Sequence, residues 1–450
     1  MQVERAAPPP WLGAALLALA AVLVYVPAMR GGFIWDDDTL LTDNPAVKTI
    51  DGLCSIWFGN WAVDYIPLTL SSFWLEWHLW GLHAAGYHIV SVLLHAANAV
   101  LLWRVLKCLG LPGSWLAALL FAVHPVCAAS VAWIAERKNT LSMFFYLLSL
   151  WSFLRFDEGA YSAVKNNNNQ RLLAFSLAAF FLALLAKSSV AVLPAVLLLF
   201  VWWRRGRVTR RDLARCLPFF VLALLMALLA VAIQSRAVRG GVGVIHDSLC
   251  VRLLGGSRAV WFYLGKIVLP GGLTMIYPRW EIDSRAAVSW LPALLFAGLL
   301  FVFWRGRRGW GRPFLFAFGY FTVALAPALG LVDLAFFSNS RVADHFQYLA
   351  LPGMMALIAA LARHKRRFAP ALAAGLAVVV LAFLTCRHEK VLADGRTLWE
   401  DNLAKNPNSW KVCMNLSEIY FQQGKTEKAT ELKNQAVELL GLGKAKGGRR

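Results

Sequence analysis

Long apolar runs separated by short basic clusters are the feature that most limits how this chain can fold. A run of about 20 apolar residues is long enough to cross the hydrocarbon core of a bilayer as a helix. Of the 450 residues, 59% are hydrophobic, and the mean hydropathy is +0.57. Both values exceed those of soluble globular proteins, so the sequence predicts an all-α, multi-pass integral membrane protein.

Length and flanking charge divide the apolar sequence into about 11 predicted transmembrane helices. Basic clusters such as 204–211 and 305–308 separate them, and such clusters remain on the cytoplasmic side. We therefore expect an inner (cell) membrane protein with a cytoplasmic N-terminus and a C-terminus on the periplasmic, outer or lumenal side. The predicted spans are about 11–29, 87–106, one ending near His124, 139–156, 172–186, 189–203, 216–234, 287–304, 313–331, 346–362 and 368–386.

Two segments between the spans are predicted to lie outside the hydrocarbon. Residues 126–139 carry Glu136, Arg137 and Lys138 and are expected to form a short interfacial helix. Residues 235–286 are hydrophobic but contain scattered basic residues, which indicates surface-lying or re-entrant helices on the outer face. Both segments then share the outer side with the first loop, 30–86.

The net charge of +20 would also suit a nucleic-acid partner. Lys and Arg fall mainly between apolar runs, however, which is the pattern of membrane topology, so no nucleic-acid binding is predicted. The seven cysteines show no CxxC or metal-ligand spacing, and we expect no disulfide framework.

Three consecutive carboxylates, Asp36, Asp37 and Asp38, follow the first apolar run. One interpretation is a solvated loop whose Asp and Thr residues cap helices. The other is a general base at the membrane surface, because crowded carboxylates raise one another's pKa and a raised pKa suits proton acceptance. The same oxygens could ligate a divalent cation, but no second acidic cluster completes such a shell, so no metal site is assigned.

Basic residues at predicted span ends lie on the same outer face as these carboxylates. Each alone is typical of an anchor that reaches for the interface. Several together outside the membrane, where basic residues are normally scarce, indicate a bound anion such as a lipid-linked phosphate. A carboxylate base and a cationic phosphate clamp together suggest transfer of a sugar from a polyprenyl phosphate to a hydroxyl group. The clamp candidates are Arg137, Lys138, Lys187, Lys266, Arg341 and His345.

The C-terminal residues turn polar after Cys386. The domain prediction is a membrane domain over 1–390, a helical domain over 391–440 and a disordered basic tail over 441–450. Three amphipathic helices are expected over 398–440, and their pattern matches one tetratricopeptide unit, which would bind an acceptor, a partner or the membrane domain. The matching residues are Trp410, Leu416, Tyr420, Gly424, Ala429 and Ala436.

Together these motifs resemble the transmembrane and tetratricopeptide-repeat O-mannosyltransferases, and more closely their bacterial relatives. The resemblance covers about 30–440. It rests on Phe33-Ile-Trp-Asp-Asp37 with Asn44, Tyr65-Ile-Pro-Leu68, Gly86-Tyr-His88 with His95, His124-Pro-Val126, Ala132 to Arg137, Ala186-Lys187 and Val342 to Leu349.

The resemblance implies a GT-C fold and transfer of a mannose-like hexose from a polyprenyl- or dolichyl-phosphate donor to a protein or glycan hydroxyl. It favours Asp36 or Asp37 as the base, with Asp38 as an addition. His345 departs from the family pattern, which usually has Arg there, and Arg341 is the alternative phosphate ligand. Further site candidates are Asn44, Tyr65, His88, His124, Glu136, Lys266 and Asp344.

Two other functions remain open from the sequence. A polyprenyl-sugar flippase or transporter would show internal repeats and mid-span charges, which the sequence does not display. A scaffold that recruits partners through its C-terminal helices would need only one anchoring span. A glycosyltransferase with a lipid or polysaccharide acceptor is a variant of the leading hypothesis.

Overall fold

The computed structural model describes residues 9–59, 64–160, 169–239, 247–331, 335–364 and 368–440. Within these ranges the regular structure is helical and contains no strand. The predicted all-α class is therefore confirmed. The predicted tail, 441–450, lies outside the described residues.

The N-terminal helices form the first apolar segment and the loop that follows it. Helix α1 starts with Pro10 at its first position, where the missing N–H costs nothing. Gly81 ends α4 with a positive φ of 52° that a residue with a side chain rarely adopts. The helices are α1 (Pro10–Val24), α2 (Pro45–Lys48), α3 (Gly52–Phe58) and α4 (Pro67–Trp80).

The remaining helices follow in chain order, with short 3₁₀ turns at Pro125–Cys127, Ile134–Glu136, Ser188–Val192 and Asp344–Gln347. They are α5 (Ala84–Cys108), α6 (Ser114–Val123), α7 (Ala128–Ala132), α8 (Arg137–Ala160), α9 (Asn169–Ala186), α10 (Leu193–Arg205), α11 (Arg210–Arg239), α12 (Leu249–Val268), α13 (Leu291–Arg305), α14 (Gly311–Leu325), α15 (Leu351–His364), α16 (Phe368–Glu389), α17 (Gly395–Lys405), α18 (Trp410–Gln422) and α19 (Thr426–Leu439).

Several helices are long and apolar enough to cross a bilayer, so the chain is a multi-pass membrane protein. Six such helices occur among the described residues: Ala84–Cys108, Asn169–Ala186, Ser188–Arg205, Arg210–Ile233, Ala287–Arg305 and Leu372–Glu389. The pair Ser114–Val123 and Pro125–Ala132, bent by 54°, would make a seventh, and Pro10–Val24 and Leu351–Ala362 are shorter apolar helices. The predicted count of 11 and the orientation of the termini stay predictions.

The segment expected at the membrane interface, 126–139, is instead packed inside the protein. It contains the turn Pro125–Cys127, α7 and the turn Ile134–Glu136, and nearly all of its residues are buried. Its charged side chains find partners within the fold, which removes the need to reach water. The short helix is found as α7, and the position of this segment at the membrane interface stays a prediction.

The predicted outer-face segment, 235–286, contains the end of α11, the long helix α12 and then an extended stretch over 269–286. Leu273, Met275 and Ile276 of that stretch are buried. Residues 240–246 lie outside the described part of the chain.

A single hydrophobic cluster extends from α1 to α19 and includes Tyr25, Phe121, Tyr348, Trp399 and Leu416. The three C-terminal helices therefore share a core with the apolar helices. The helix pair α18 and α19 is joined by a turn in which Gly424 has a positive φ of 74°. The domain boundary at 390 and the tetratricopeptide assignment stay predictions.

Candidate active site

Residues 33–38, which we call the acidic turn, follow α1 and carry Asp36, Asp37 and Asp38. The three carboxylates lie in three different environments. Asp37 is fully buried, and its Oδ2 and Oδ1 accept hydrogen bonds from the backbone N–H groups of Ile34 (2.8 Å) and Ala135 (2.6 Å). Asp38 is exposed and accepts a hydrogen bond from the Thr42 hydroxyl (3.2 Å). Asp37 therefore ties the acidic turn to the segment before α8, which is a structural use of its carboxylate.

Asp36 is partly buried and is the carboxylate that lies near the predicted cations. Burial raises the pKa of Asp36, the nearby Lys138 ammonium lowers it, and the Glu136 carboxylate raises it. The net direction is upward, which suits a group that accepts a proton. For Asp37, burial raises the pKa well above its usual range despite the two backbone donors.

Glu136 gathers three predicted cations, two of which, Lys187 and His345, come from distant parts of the chain. Its carboxylate lies 3.0 Å from Lys138 Nζ, 3.6 Å from Lys187 Nζ and 3.9 Å from His345 Nε2. Asn139 joins them: its Nδ2 donates to Glu136 Oε2 (2.5 Å), and its Oδ1 accepts from Lys187 Nζ (2.6 Å). We call Glu136, Lys138, Asn139, Lys187 and His345 the Glu136 cluster.

The Glu136 cluster carries a net positive charge near neutral pH. Burial raises the pKa of Glu136, but the neighbouring His345, Lys138 and Lys187 outweigh burial and lower it. Burial lowers the pKa of His345 to about 4, so this imidazole is neutral at pH 7. Two lysines and one carboxylate remain charged within the cluster, and the carboxylates of Asp36 and Asp64 act on Lys138 from outside it.

Arg137 is separated from this cluster. Its fully buried guanidinium donates to Glu76 Oε1 (2.5 Å), the Tyr87 carbonyl (2.6 Å) and Ser91 Oγ (3.0 Å). These bonds connect α8 to α4 and α5. Consecutive helical residues point about 100° apart, so Lys138 can face the cluster while Arg137 points to another side of the helix, toward α4 and α5.

Asp344, beside His345, belongs to a second polar group. It accepts hydrogen bonds from the Tyr277 hydroxyl (2.9 and 3.1 Å) and the Thr274 backbone N–H (3.3 Å). Burial raises the pKa of Asp344 to about 7. Together with His345 and His388 it lines a cavity of about 10 Å³, which is room for about one water.

The other two predicted phosphate ligands lie elsewhere. Arg341 donates to Asp247 Oδ2 (2.9 Å) and the Trp280 carbonyl (3.1 Å). Lys266 donates to the Gly271 carbonyl (2.6 Å) and lies 5.1 Å from the centre of the Tyr277 ring. The structure thus places neither of them in the Glu136 cluster.

The remaining sequence candidates support the local structure. Asn44 caps α2 by accepting from the Ala46 N–H (3.0 Å), and the Tyr65 hydroxyl donates to the Trp57 carbonyl (3.2 Å). His124 Nε2 donates to the Ile267 carbonyl (3.1 Å) at the bend after α6. His88 is buried beside Gly31, where a β-carbon would lie 3.2 Å from its Nε2.

Sequence reasoning missed Asn139 and Tyr277. Asn139 follows Glu136 by three residues, a spacing that brings two helical side chains together, so a search for such pairs would have found it. Tyr277 lies in an extended stretch, and the sequence offers no comparable signal for its contact with Asp344.

A divalent cation at Asp36 to Asp38 stays a prediction. In the described part of the chain, no group of three or more His, Cys, Asp or Glu side chains is arranged to hold a metal. Both oxygens of Asp37 already accept backbone N–H groups.

Comparison with known proteins gives matches over part of the chain, although no protein-family model matches it. It is 30% identical over 186 residues to human Protein O-mannosyl-transferase TMTC4, which is 34% of this chain and 25% of that protein. It is 36% identical over 163 residues to mouse Protein O-mannosyl-transferase TMTC1, or 32% and 17% of the two chains. Protein O-mannosyl-transferase F38B6.6 of Caenorhabditis elegans is 29% identical over 150 residues, or 30% and 22%.

The matched stretches therefore span a quarter or less of the length of each of these curated relatives. The resemblance drawn from the motifs is confirmed by these matches, which are similarities over about a third of this chain.

Two solved structures are similar over most of the chain. ArnT from Cupriavidus metallidurans bound to undecaprenyl phosphate has a TM-score of 0.45 and 15% identity, and the match covers 97% of this chain and 77% of that one. The Archaeoglobus fulgidus oligosaccharyltransferase tethered to an acceptor peptide has a TM-score of 0.49 and 13% identity, with 94% and 58% covered.

Proposed function

We propose that this protein is a membrane glycosyltransferase that moves a hexose, with mannose as the first choice, from a polyprenyl-phosphate donor to a hydroxyl acceptor. The observation that carries the proposal is the hydrogen bond from the Ala135 N–H to Asp37 Oδ1 (2.6 Å), which holds the acidic turn next to Glu136 and so brings Asp36 within electrostatic reach of Lys138. A carboxylate with a raised pKa and a partly exposed cationic site then lie next to each other, as base-assisted displacement of a phosphate requires.

Asp36 acts as the general base. It takes the proton of the acceptor hydroxyl while the acceptor oxygen forms a bond to the anomeric carbon of the sugar. The bond between that carbon and the phosphate oxygen breaks, and its electron pair leaves with the polyprenyl phosphate. A phosphate is a stable leaving group, so cations can replace the acid that a glycosidase needs.

Lys138 and Lys187 hold the departing phosphate. Their side chains keep 14% and 17% of their surface exposed, so a ligand can reach both. Each ammonium has three N–H donors, and in the free protein these face Glu136, Asn139 and the charge of Asp64, with which a phosphate would compete. Glu136 and Asn139 then fix the two ammonium groups before the donor arrives, which lowers the cost of organising the site.

The similarity to curated proteins named protein O-mannosyl-transferase favours mannose as the sugar and a protein Ser or Thr as the acceptor. Glycan and lipid acceptors use the same hydroxyl chemistry. The basic clusters favour a site on the periplasmic, outer or lumenal face. The C-terminal helices are the first candidate for contact with the acceptor or a partner protein.

The test is a transfer assay with purified protein in lipid nanodiscs. Radiolabelled polyprenyl-phosphate mannose and glucose are offered with a Ser/Thr-rich peptide, with and without a chelator. We expect label on the peptide together with release of polyprenyl phosphate. Intact donor that moves between leaflets of proteoliposomes without cleavage would instead support the flippase and contradict the proposal.

Variants of the lysines test the phosphate site within this assay. Lys187→Gln should raise the donor KM and lower kcat, because a charge beside the leaving phosphate is lost. Lys390→Gln is the matched control, since that lysine is exposed and has no part in the Glu136 cluster. Equal activity of the two variants would remove Lys187 from the proposed site.

A further inference from the structure

The acidic turn contains a backbone conformation that its own residues do not favour. Trp35 has a φ of 47°, and it is the one non-glycine residue with a positive φ in the part of the chain that the structure describes. A residue with a β-carbon is disfavoured there, so surrounding contacts must hold it. Asp36 follows directly, and the direction of its carboxylate therefore depends on how Trp35 is held.

Two indole rings hold Trp35 from different sides. Trp133 stacks on it with ring centres 5.2 Å apart and planes 3° from parallel. Trp399 of α17 meets it edge to face, with centres 5.1 Å apart and planes at 76°. Both geometries are the favourable ones for aromatic pairs, and both partner rings are only 2% exposed.

Trp399 is itself fixed by hydrogen bonds of α17 to the membrane part of the chain. Asn402 Oδ1 accepts from the Ile276 N–H (2.9 Å), and its Nδ2 donates to the Ile276 carbonyl (3.0 Å). Lys405 Nζ donates to the Leu273 carbonyl (2.8 Å). One turn of α17 thus clamps the backbone of the extended stretch.

The segment between α16 and α17 also contacts the acidic turn directly. The Gly32 N–H donates to the Ala393 carbonyl (2.8 Å), and the Ala28 N–H donates to Glu389 Oε2 (3.2 Å). Further along, α18 brings Lys411 near Asp36: burial raises the pKa of Asp36, and the charges of Lys138 and Lys411 lower it. Residues from α16 to α18 therefore surround the turn that carries the base.

From these contacts we propose that Trp399 is a positioning residue that keeps Trp35 in its left-handed conformation and so directs Asp36 toward the Glu136 cluster. The C-terminal helices are then part of the active site and not a separately tethered module. This inference rests on the proposed function for its catalytic consequence, while the conformational consequence can be measured without any substrate.

The test compares Trp399→Ala, Trp399→Phe and Leu416→Ala in the full-length protein in nanodiscs. Leu416 is buried within the C-terminal helices, so Leu416→Ala also leaves a cavity there and is the matched control. The first readout is hydrogen–deuterium exchange of the backbone amides over 33–38. The second is the separation of kcat and donor KM in the transfer assay.

We expect Trp399→Ala to speed exchange over 33–38 and to lower kcat by about 10- to 100-fold, because a misplacement of about 1 Å costs that much. The donor KM should change little, since the lysines are untouched. Trp399→Phe should restore most of both values, because a ring again contacts Trp35. Leu416→Ala should leave exchange over 33–38 and kcat near wild type.

Unchanged exchange over 33–38 in Trp399→Ala overturns the inference, and so does an equal change in Leu416→Ala. If the wild-type protein transfers no sugar, the proposed function fails, but the exchange measurement still decides whether Trp399 positions the acidic turn. The two failures are therefore distinguishable.

Discussion

Replacement of Arg137 by Met should destabilise the protein instead of weakening donor binding. The sequence alone makes Arg137 a candidate phosphate ligand, but its guanidinium is fully buried and pairs with Glu76 at 2.5 Å. It also donates to the Tyr87 carbonyl and to Ser91. Arg137→Met would leave the buried Glu76 carboxylate without its counter-charge.

Removing one partner of a buried ion pair costs about 3–5 kcal/mol, because the other charge stays in a poorly solvated place. The change in Tm is this free energy divided by the unfolding entropy, which is about 2 cal/mol/K per residue. For 450 residues the expected decrease in Tm is about 3–5 °C. Burial already raises the pKa of Glu76, so protonation should relieve part of the cost at low pH. The decrease in Tm should therefore grow as the pH rises.

The assay is thermal unfolding followed by intrinsic fluorescence, together with the donor KM. Arg155→Met is the matched control on the same helix, because that exposed arginine lies 3.6 Å from Glu158 in a surface ion pair worth at most about 1 kcal/mol. The double variant with Arg137→Met and Glu76→Gln should regain part of the lost Tm. An unchanged Tm combined with a large rise in donor KM for Arg137→Met would refute the structural role.

Three further results are expected. The value of kcat/KM should rise as the pH passes the raised pKa of Asp36, because the base must be deprotonated. It should fall at high pH, where Lys187 loses its proton, because burial lowers the pKa of that lysine. A pH–rate profile measures both changes. The pKa of Glu136 in the folded protein lies below its usual value of 4.5, so the ionised carboxylate stabilises the fold above pH 4.5. This stabilisation is lost as the pH falls through the pKa of the folded state. The Tm values of wild type and Glu136→Gln should therefore converge in acid. Asp37→Asn should lower Tm more than Asp38→Asn does, because Asp37 accepts two buried backbone N–H groups and Asp38 is exposed; calorimetry compares the two.

The apolar runs were sufficient to predict the helical class and most of the long helices, because hydrophobic length is a strong signal in a bilayer. The basic clusters also supported the expectation that Asp36, Lys138, Lys187 and His345 share one face. The structure brings the last three to Glu136 and puts Asp36 beside Lys138. Topology alone could suggest a shared side, but not a contact.

The sequence could not show which of two adjacent basic residues lies in the site. Arg137 and Lys138 are adjacent in sequence, and only the packing of α8 against α4 and α5 decides that the arginine meets Glu76. The same packing explains why the segment before α8 is buried. Sequence composition shows charges but does not show their partners.

The contact between α17 and the acidic turn is also invisible in the sequence. Trp35 and Trp399 are separated by most of the chain, and the polar composition after Cys386 suggests a separate module. The hydrophobic cluster nevertheless continues from the apolar helices into α17 and α18. Long-range contacts of this kind depend on the complete fold.

The most direct test of the proposed chemistry is the single-turnover rate of sugar transfer by Asp36→Asn and Asp38→Asn, measured with donor and enzyme in excess over the peptide. Both substitutions remove one carboxylate from the acidic turn, but of the two only the partly buried Asp36 interacts with Lys138 of the Glu136 cluster. Loss of a general base should slow Asp36→Asn by about 10²- to 10⁴-fold while Asp38→Asn stays near wild type. Transfer by Asp36→Asn at the wild-type rate would contradict its role as the base.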